Sequence, residues 1–311
     1  MNEFDLIRRY FTRATPSAVL GVGDDAALLA VTPGQQLVVS TDMLVSGQHF
    51  FPATDPEALG HKTLAVNLSD LAAMGARPRW ATLALALPAV DEAWLSAFSR
   101  GLFALADAHG VALVGGDTTR GPLNLCVTIM GEVAPCVALR RDAAQMGDMI
   151  WVSGELGGAA LAVRHLRGEI DLGAAAGACL QRLHRPQPRV ALGVALVGLA
   201  HAAIDVSDGL LADLGHILER SAVGAVIDPT AIPRAAAFAT FFSAFDACVL
   251  AGGDDYELCF TAAPEQAAAI RAAATALGVA VTPIGFVVAE SGIRDARGEV
   301  FAHTCGYDHF A

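Results

Sequence analysis

The sequence is poor in aromatic residues, in bases and in long hydrophobic runs. Phe, Trp and Tyr together make up 6% of the 311 residues, while glycine alone numbers 31. Packing is therefore expected to rely on close approach of backbones as well as on large side chains. Lys and Arg number 20 against 32 Asp and Glu, giving a net charge of −12 with His neutral. That balance excludes a general nucleic-acid binder, which needs a basic footprint. Apolar runs such as Ala81–Leu87 and Val190–Leu199 are too short or too interrupted to span a membrane. Met1–Arg13 is polar and charged and lacks the apolar stretch of a signal peptide. No two of the six cysteines have C-x-x-C spacing, so reduced, buried thiols are expected rather than disulfides or a zinc site. No Walker loop and no protein-kinase H-R-D and D-F-G set occurs. Gly21-Val22-Gly23 lacks the third glycine of a dinucleotide fingerprint. A cytoplasmic enzyme outside those classes is the expectation.

What is present suggests two domains, and 54% hydrophobic residues are ample for two cores. Leu37–Ser40, Ala81–Leu87, Val111–Val114 and Leu125–Met130 read as strands. Between them lie two helices, one from Pro56 after a capping Asp55 to about Met74, the other from Asp91 to Gly110. The polar stretch Arg140–Gly147 reads as a boundary, which places one domain at 1–147 and the other at 148–311. In the second, strands are expected at Met149–Val152, Ala203–Val206, Ala225–Ile227, Cys248–Leu250, Glu257–Thr261 and Val279–Ile284. Helices are expected after Gly154–Gly158, over Val190 to about Ala200 and over Pro264–Leu277, and a hairpin over Gly292–Ala302. Strict β-α-β alternation is missing, which favours two α+β domains over one doubly wound sheet.

The aspartates fall in pattern. Asp24 and Asp25, Asp42, Asp117, Asp205 and Asp208, and Asp254 and Asp255 each follow an apolar or glycine-rich run. An unpartnered buried carboxylate costs several kcal/mol, and bases near these motifs are few. Magnesium takes oxygen ligands and commonly binds one or two carboxylates plus substrate phosphates. Each aspartate alone could equally be a turn residue or a helix cap, and Asp208 before Gly209 could cap a helix. Asp70 lies inside a helix with no base four residues away and shares a face with Asn67. Gly115-Gly116 and Gly252-Gly253 would let backbone N–H groups approach phosphates.

These motifs, in order, resemble the bacterial thiamine-monophosphate kinases, within the superfamily named after aminoimidazole ribonucleotide synthetase. The resemblance runs from Phe4 to Phe310 and is most specific at Gly21–Ala26, Ser40–Asp42 with His49, Val66–Ala76, Gly115–Gly121, Asp205–Leu210, Gly252–Leu258 and Gly306–Phe310. It implies a two-domain α+β protein with an N-terminal mixed α/β domain that binds ATP and magnesium and dimerises through its strands, and a C-terminal α+β domain. It implies metal positions at Asp25, Ser40, Thr41, Asp42, Asp70, Asp117, Asp205 and Asp208. It implies ATP contacts at Gly116, Asp117, Arg141 and Ser207, and thiamine-phosphate contacts at His49, Asp254 and Tyr307. Two positions depart from the family pattern. Its Gly-Gly-Glu-Asp reads Gly-Gly-Asp-Asp here, and His109 stands where an aromatic would lie near the adenine.

The implied reaction moves the γ-phosphoryl of ATP onto the phosphate of thiamine monophosphate, with several magnesium ions and no general base. The alternatives are another ATP-using enzyme of the superfamily, or a non-catalytic magnesium-ATP module. A selenide enzyme is expected to carry a reactive N-terminal cysteine, and no cysteine precedes Cys126; a hydrogenase-maturation relative is expected to end in a cysteine tail, which Tyr307–Ala311 is not.

Overall fold

The computed structural model describes residues 2–239 and 246–301. The chain divides into two compact units, one of Met1–Leu71 and Ala76–Cys136, the other of Ala72–Gly75 and Val137–Ala311.

The first unit is a four-stranded sheet in the order β1-β4-β2-β3, formed by β1 (Gln36–Val45), β2 (Arg77–Leu87), β3 (Ala112–Arg120) and β4 (Asn124–Val133). β2 and β3 are parallel, with helix α3 (Glu92–His109) between them in sequence, and the other pairs are antiparallel. Helix α1 (Glu3–Tyr10) precedes the sheet, and α2 (Pro56–Ala73) links β1 to β2. The helix starts follow capping chemistry. Asp55 Oδ2 accepts from Ala58 N–H at 2.8 Å, and Asp91 Oδ1 accepts from Ala93 and Trp94. Leu64 of α2 and Leu102, Phe103 and Ala106 of α3 close over Leu83 and Val127 of the sheet. The close backbone approach expected from the composition occurs where α2 meets α3. A Cβ on Gly60 would collide with the carbonyl of Phe98, and one on Gly101 with that of Glu57.

The second unit carries a six-stranded sheet in the order β10-β7-β9-β5-β8-β6. Its elements are β5 (Met149–Ser153), α4 (Gly158–Leu166), α5 (Ala176–His184), α6 (Val190–Leu196), β6 (Ala202–Asp205), α7 (Leu210–Ser221), β7 (Gly224–Ile227), α8 (Asp246–Leu250), β8 (Leu258–Ala262), α9 (Ala267–Ala276), β9 (Val281–Val288) and β10 (Gly292–Arg294). All neighbours are antiparallel except β10 and β7. The central strands β5 and β8 are almost wholly buried, with Trp151 and Phe260 stacked in register.

Several expectations shift. Cys248–Leu250 belongs to a short helix and not a strand, and the apolar helix from Val190 stops at Leu196. β1 and β3 run past the sequence-read limits, so Asp42 and Asp117 lie within strands and not at their ends. Gly115-Gly116 is therefore mid-strand, whereas Gly252-Gly253 lies in the connection from α8 to β8, and the two Gly-Gly-Asp motifs are not structural equivalents. Cys179, Cys248 and Cys259 are buried free thiols as expected, but Cys136 is exposed. No described helix is long and apolar enough to cross a membrane.

Candidate functional site

In the first unit, strand alternation sorts the β1 residues. Ser40, Asp42 and Leu44 share the half-buried face that meets α2, and Thr41 and Met43 share the open one. Ser40 Oγ donates to Asp70 Oδ2, and the Asp42 N–H donates to Asn67 Oδ1 at 3.2 Å. The Asn67–Asp70 stretch is thus no solvent-facing stripe: Asn67 and Ser69 are buried and Asp70 is half-buried. Thr41 points away from this group, and its hydroxyl pairs with that of Thr128 at 2.9 Å. His49 lies in the turn after β1, where its Nδ1 accepts the Val45 N–H at 3.0 Å. That bond places the hydrogen of a neutral ring on Nε2.

The segment before β1 is held by two buried side chains. Trp80 Nε1 donates to Ser17 O at 3.0 Å, and Glu132 accepts both the N–H (2.7 Å) and the hydroxyl (2.9 Å) of Thr32. Between these anchors, Leu20 pairs with Leu28, and Asp24 and Asp25 stand exposed at the tip. They border a groove of about 760 Å³ together with Gly116 and the exposed Asp117. Phe4, Ile7 and Phe11 add an apolar wall, and no Lys, Arg or His among the described residues lines the groove. Gly116 (φ +151°) is there for the sheet: a Cβ would strike the carbonyl of Leu83 on β2.

In the second unit the relevant loops gather at one end of the sheet. The registers Val152–Cys259 and Asp205–Leu258 put the end of β5, the end of β6 and the start of β8 side by side. Backbone bonds lace the loops: Asp254 N–H to Ser207 O (2.9 Å), Tyr256 N–H to Val206 O (2.9 Å) and Val206 N–H to Glu257 O (2.7 Å). Asp254 (φ +70°) and Tyr256 (φ +51°) sit in the left-handed region that non-glycine residues seldom adopt, as strained functional loops do. Asp205 is buried, and Ser207, Asp208 and Asp254 are half-buried.

Three buried acids in this unit were not read from the sequence as organisers. Asp213 Oδ2 accepts the N–H groups of Ser207, Asp208 and Gly209 at 3.0, 3.1 and 3.1 Å. Burial pushes its carboxyl up to about 7, against the opposing pull of those amides. Asp255 turns inward, where its Oδ2 accepts the Gly157 N–H at 2.7 Å, and burial raises it to about 8. Its position in Gly-Gly-Asp-Asp suggests a cation-facing aspartate, whereas one of its oxygens is engaged by the Gly157 backbone. Glu257 is pinned by Ser153 Oγ (2.5 Å) and bidentately by Arg189 (2.6 and 2.5 Å). Nor does Asp208 cap α7: Gly209 occupies the cap position without a side-chain bond, and Asp213 does the reaching. The signal for Asp213 was its place in the first turn after Asp-Gly, where an acid faces the open N–H groups of a helix start.

Arg141 is exposed, with its carbonyl accepting from Ser221 Oγ at 2.9 Å and its guanidinium without a partner among the described residues. His109 ends α3 half-buried, and burial, followed by the nearby His61, lowers its pKa. Tyr307 lies outside the described residues.

The donors are hard oxygens, which fits magnesium. Among the described residues no three His, Cys, Asp or Glu side chains converge closely enough to hold a metal ion by themselves. Such an open set of carboxylates is what magnesium needs when substrate phosphates and water complete its shell. A groove lined among the described residues by acids and no base would also repel a polyphosphate unless cations came with it.

Comparison with known proteins agrees along the whole chain. The family models for AIR synthase related protein match residues 23–133 (N-terminal domain) and 145–296 (C-terminal domain). The thiamine-monophosphate kinase of Salmonella typhimurium is 47% identical over 99% of this chain and 98% of its own, and that of Bacillus subtilis is 33% identical over the whole of both. The solved thiamine-monophosphate kinase of Stenotrophomonas maltophilia superimposes with a TM-score of 0.87 at 51% identity, covering 96% of each chain. AaThiL complexed with AMPPCP and TMP gives 0.81 at 29% identity, over 90% of this chain and 89% of that one. The hydrogenase maturation protein HypE, at 23% identity and a TM-score of 0.76, shares the fold. The chain therefore belongs to the AIR synthase related family, and within it to the thiamine-monophosphate kinases.

Proposed function

We propose that this protein phosphorylates thiamine monophosphate to thiamine diphosphate at the expense of ATP, with magnesium, as a cytoplasmic homodimer. The observation that carries the reading is the likeness to thiamine-monophosphate kinases along the full length, including one complexed with AMPPCP and TMP. The P–O bond between the γ-phosphorus and the β–γ bridging oxygen breaks, an acceptor phosphate oxygen bonds to the γ-phosphorus, and ADP leaves. Magnesium, when bound, neutralises the two polyanions and orients them in line.

The residues divide the work. Asp25, Ser40, Thr41, Asp42, Asp70, Asp117, Asp205 and Asp208 are the proposed metal positions. Since the Thr41 side chain pairs with Thr128 on the face opposite Ser40, a metal contact from Thr41 would have to come from its backbone carbonyl. Gly116, Asp117, Arg141 and Ser207 hold ATP, with the free guanidinium of Arg141 adding positive charge. His49, Asp254 and Tyr307 hold the acceptor. The Nε2–H of His49 suits it to donate to a phosphate oxygen and leaves it no free lone pair with which to act as a base. None is needed, because a phosphate monoester has its second ionisation near pH ~6 and already presents anionic oxygens. Residues 1–147 are assigned to ATP, metal and dimerisation, and 148–311 form the second domain.

The open face of the four-stranded sheet supports the dimer. Leu37, Val39 and Met43 are 45%, 55% and 52% exposed there, beside Cys126 and Thr128. A row of apolar side chains on one sheet face marks an association surface. Val39→Asp should shift the protein from dimer to monomer in sedimentation velocity, and an unchanged distribution would exclude this face. Incubation with ATP, magnesium and thiamine monophosphate, followed for thiamine diphosphate, tests the reaction.

A further inference from the structure

The turn at Val206–Gly209 carries Ser207 and Asp208 and follows Asp205, yet its conformation is set from outside. Its carbonyls are used by the neighbouring loop, Ser207 O by Asp254 and Val206 O by Tyr256. Its three consecutive N–H groups all converge on one oxygen, Oδ2 of Asp213, which is 2% exposed. Consecutive amides aimed at one point form an anion-binding nest. In a phosphate-binding protein the occupant would be the ligand. Here it is the chain's own carboxylate, delivered from the first turn of α7. The nest is filled, so these amides are not available to a phosphate, and what the turn offers a ligand is its side chains.

A carboxylate is a costly way to fill this space if packing were the only need, because burial opposes its ionisation and an apolar side chain would fit a core equally well. An acceptor with several lone pairs is needed only if the three amides must point inward together. A neutral side chain without an oxygen would leave three donors unmatched, that of buried Gly209 among them, and the turn would have to open to hydrate them.

We propose that Asp213 is a positioning residue for the magnesium-ATP side of the reaction: its carboxylate holds the Val206–Gly209 turn so that Asp205, Ser207 and Asp208 keep their places. This rests on the proposed function, and the test separates the two. The variants are Asp213→Ala, which removes the acceptor, and Asp213→Asn, which keeps one oxygen. Backbone hydrogen exchange is read at residues 207–209 and, as an internal control, at Ala202–Asp205 of β6. Loss of a partner that orients metal ligands commonly costs about 10- to 100-fold in metal affinity. In Asp213→Ala, amides 207–209 should exchange at least about tenfold faster, with β6 unchanged. The half-saturating concentration of magnesium-ATP should rise about tenfold or more, while that of thiamine monophosphate moves less than about twofold. Asp213→Asn should lie between alanine and wild type on both readouts. Unchanged exchange at 207–209, an equal loss for both substrates, or an asparagine variant no better than alanine would overturn the proposal. If Asp213→Ala does not fold, exchange in Asp213→Asn against wild type decides alone, with wild-type rates at 207–209 overturning it. A wild-type protein that makes no thiamine diphosphate overturns the proposed function, while the exchange arm still reports on Asp213.

Discussion

In the first unit Asp25 and Asp117 stand exposed on a groove that no Lys, Arg or His of the described residues lines, Asp70 accepts from the Ser40 hydroxyl, and the backbone N–H of Asp42 donates to Asn67. In the second unit Asp213 and Asp255 are buried, and each is answered by backbone amides of a glycine-containing turn. The same side chain thus does two kinds of work. Where the carboxylate is open, its charge is kept for a cation from solution. Where it is enclosed, its charge is suppressed and its oxygens serve as hooks for loops. The contrast predicts that substitutions in the first group damage activity and spare stability, that those at Asp255 do the reverse, and that those at Asp213, which holds the Val206–Gly209 turn, affect both.

The largest effect should come from Asp117→Asn. Asparagine keeps the size and loses the charge, so turnover should fall by about 100-fold or more, with the melting temperature unchanged or slightly raised by relief of repulsion. Asp42→Asn should behave alike. Near wild-type turnover in a variant shown folded by circular dichroism would remove that residue from the metal positions.

Next is Asp255→Ala, which leaves the Gly157 amide buried without an acceptor. A destabilisation of about 2–4 kcal/mol is expected in urea unfolding. A loss below about 0.5 kcal/mol would dissolve the distinction between the units.

The acids of the second unit also have a pH signature. The Asp255 carboxyl is raised to about 8 in the folded protein and lies near ~3.9 unfolded. Between those values the folded state holds a proton that the unfolded state has released. The contribution is therefore fully present below about pH 4, declines as pH rises, and levels off above about pH 8. Asp213 adds the same sign up to about 7. Wild type should lose stability from pH 5 to 8, by order of 1 kcal/mol per unit at most from each group. Asp255→Asn, neutral at every pH, should show a shallower slope. Parallel curves for the two proteins would contradict the assignment.

Much of this contrast could be read from the sequence for the first unit and little for the second. The strands and helices around Asp42 and Asp117 were legible because alternation, the Pro56 start and the Gly110 stop are local signals. Their limits were not, since β1 continues through Asp42 by pairing with β4, which no local pattern encodes. Cys248–Leu250 was misread because three apolar residues fit a strand or a helix turn equally. Asp213 escaped notice because a lone Asp in a helix reads as solvent-facing, and Asp255 was grouped with Asp254 as a carboxylate for a cation because no local pattern encodes its inward turn. Their partners, amides up to 98 residues away, become visible only in the fold. The likeness to a family named the outward-facing residues and was silent on the inward ones.

The smallest effect should be at Thr41. Its side chain lies on the face opposite Ser40 and Asp42, so Thr41→Val should change turnover by less than about twofold, whereas Ser40→Ala, which strips a partner from Asp70, should cost more. A large loss in Thr41→Val with the dimer intact would show that β1 alternation does not sort these residues as described.

The central claim is that open carboxylates and no base suffice to transfer a phosphoryl group to a phosphate. It is tested most directly by supplying γ-labelled ATP and magnesium with either thiamine monophosphate or free thiamine, and following label into product. The account predicts labelled thiamine diphosphate from the first and no transfer to the second, because an alcohol acceptor would need a base that His49 cannot be. Comparable labelling of free thiamine, or no labelling of either, would contradict it.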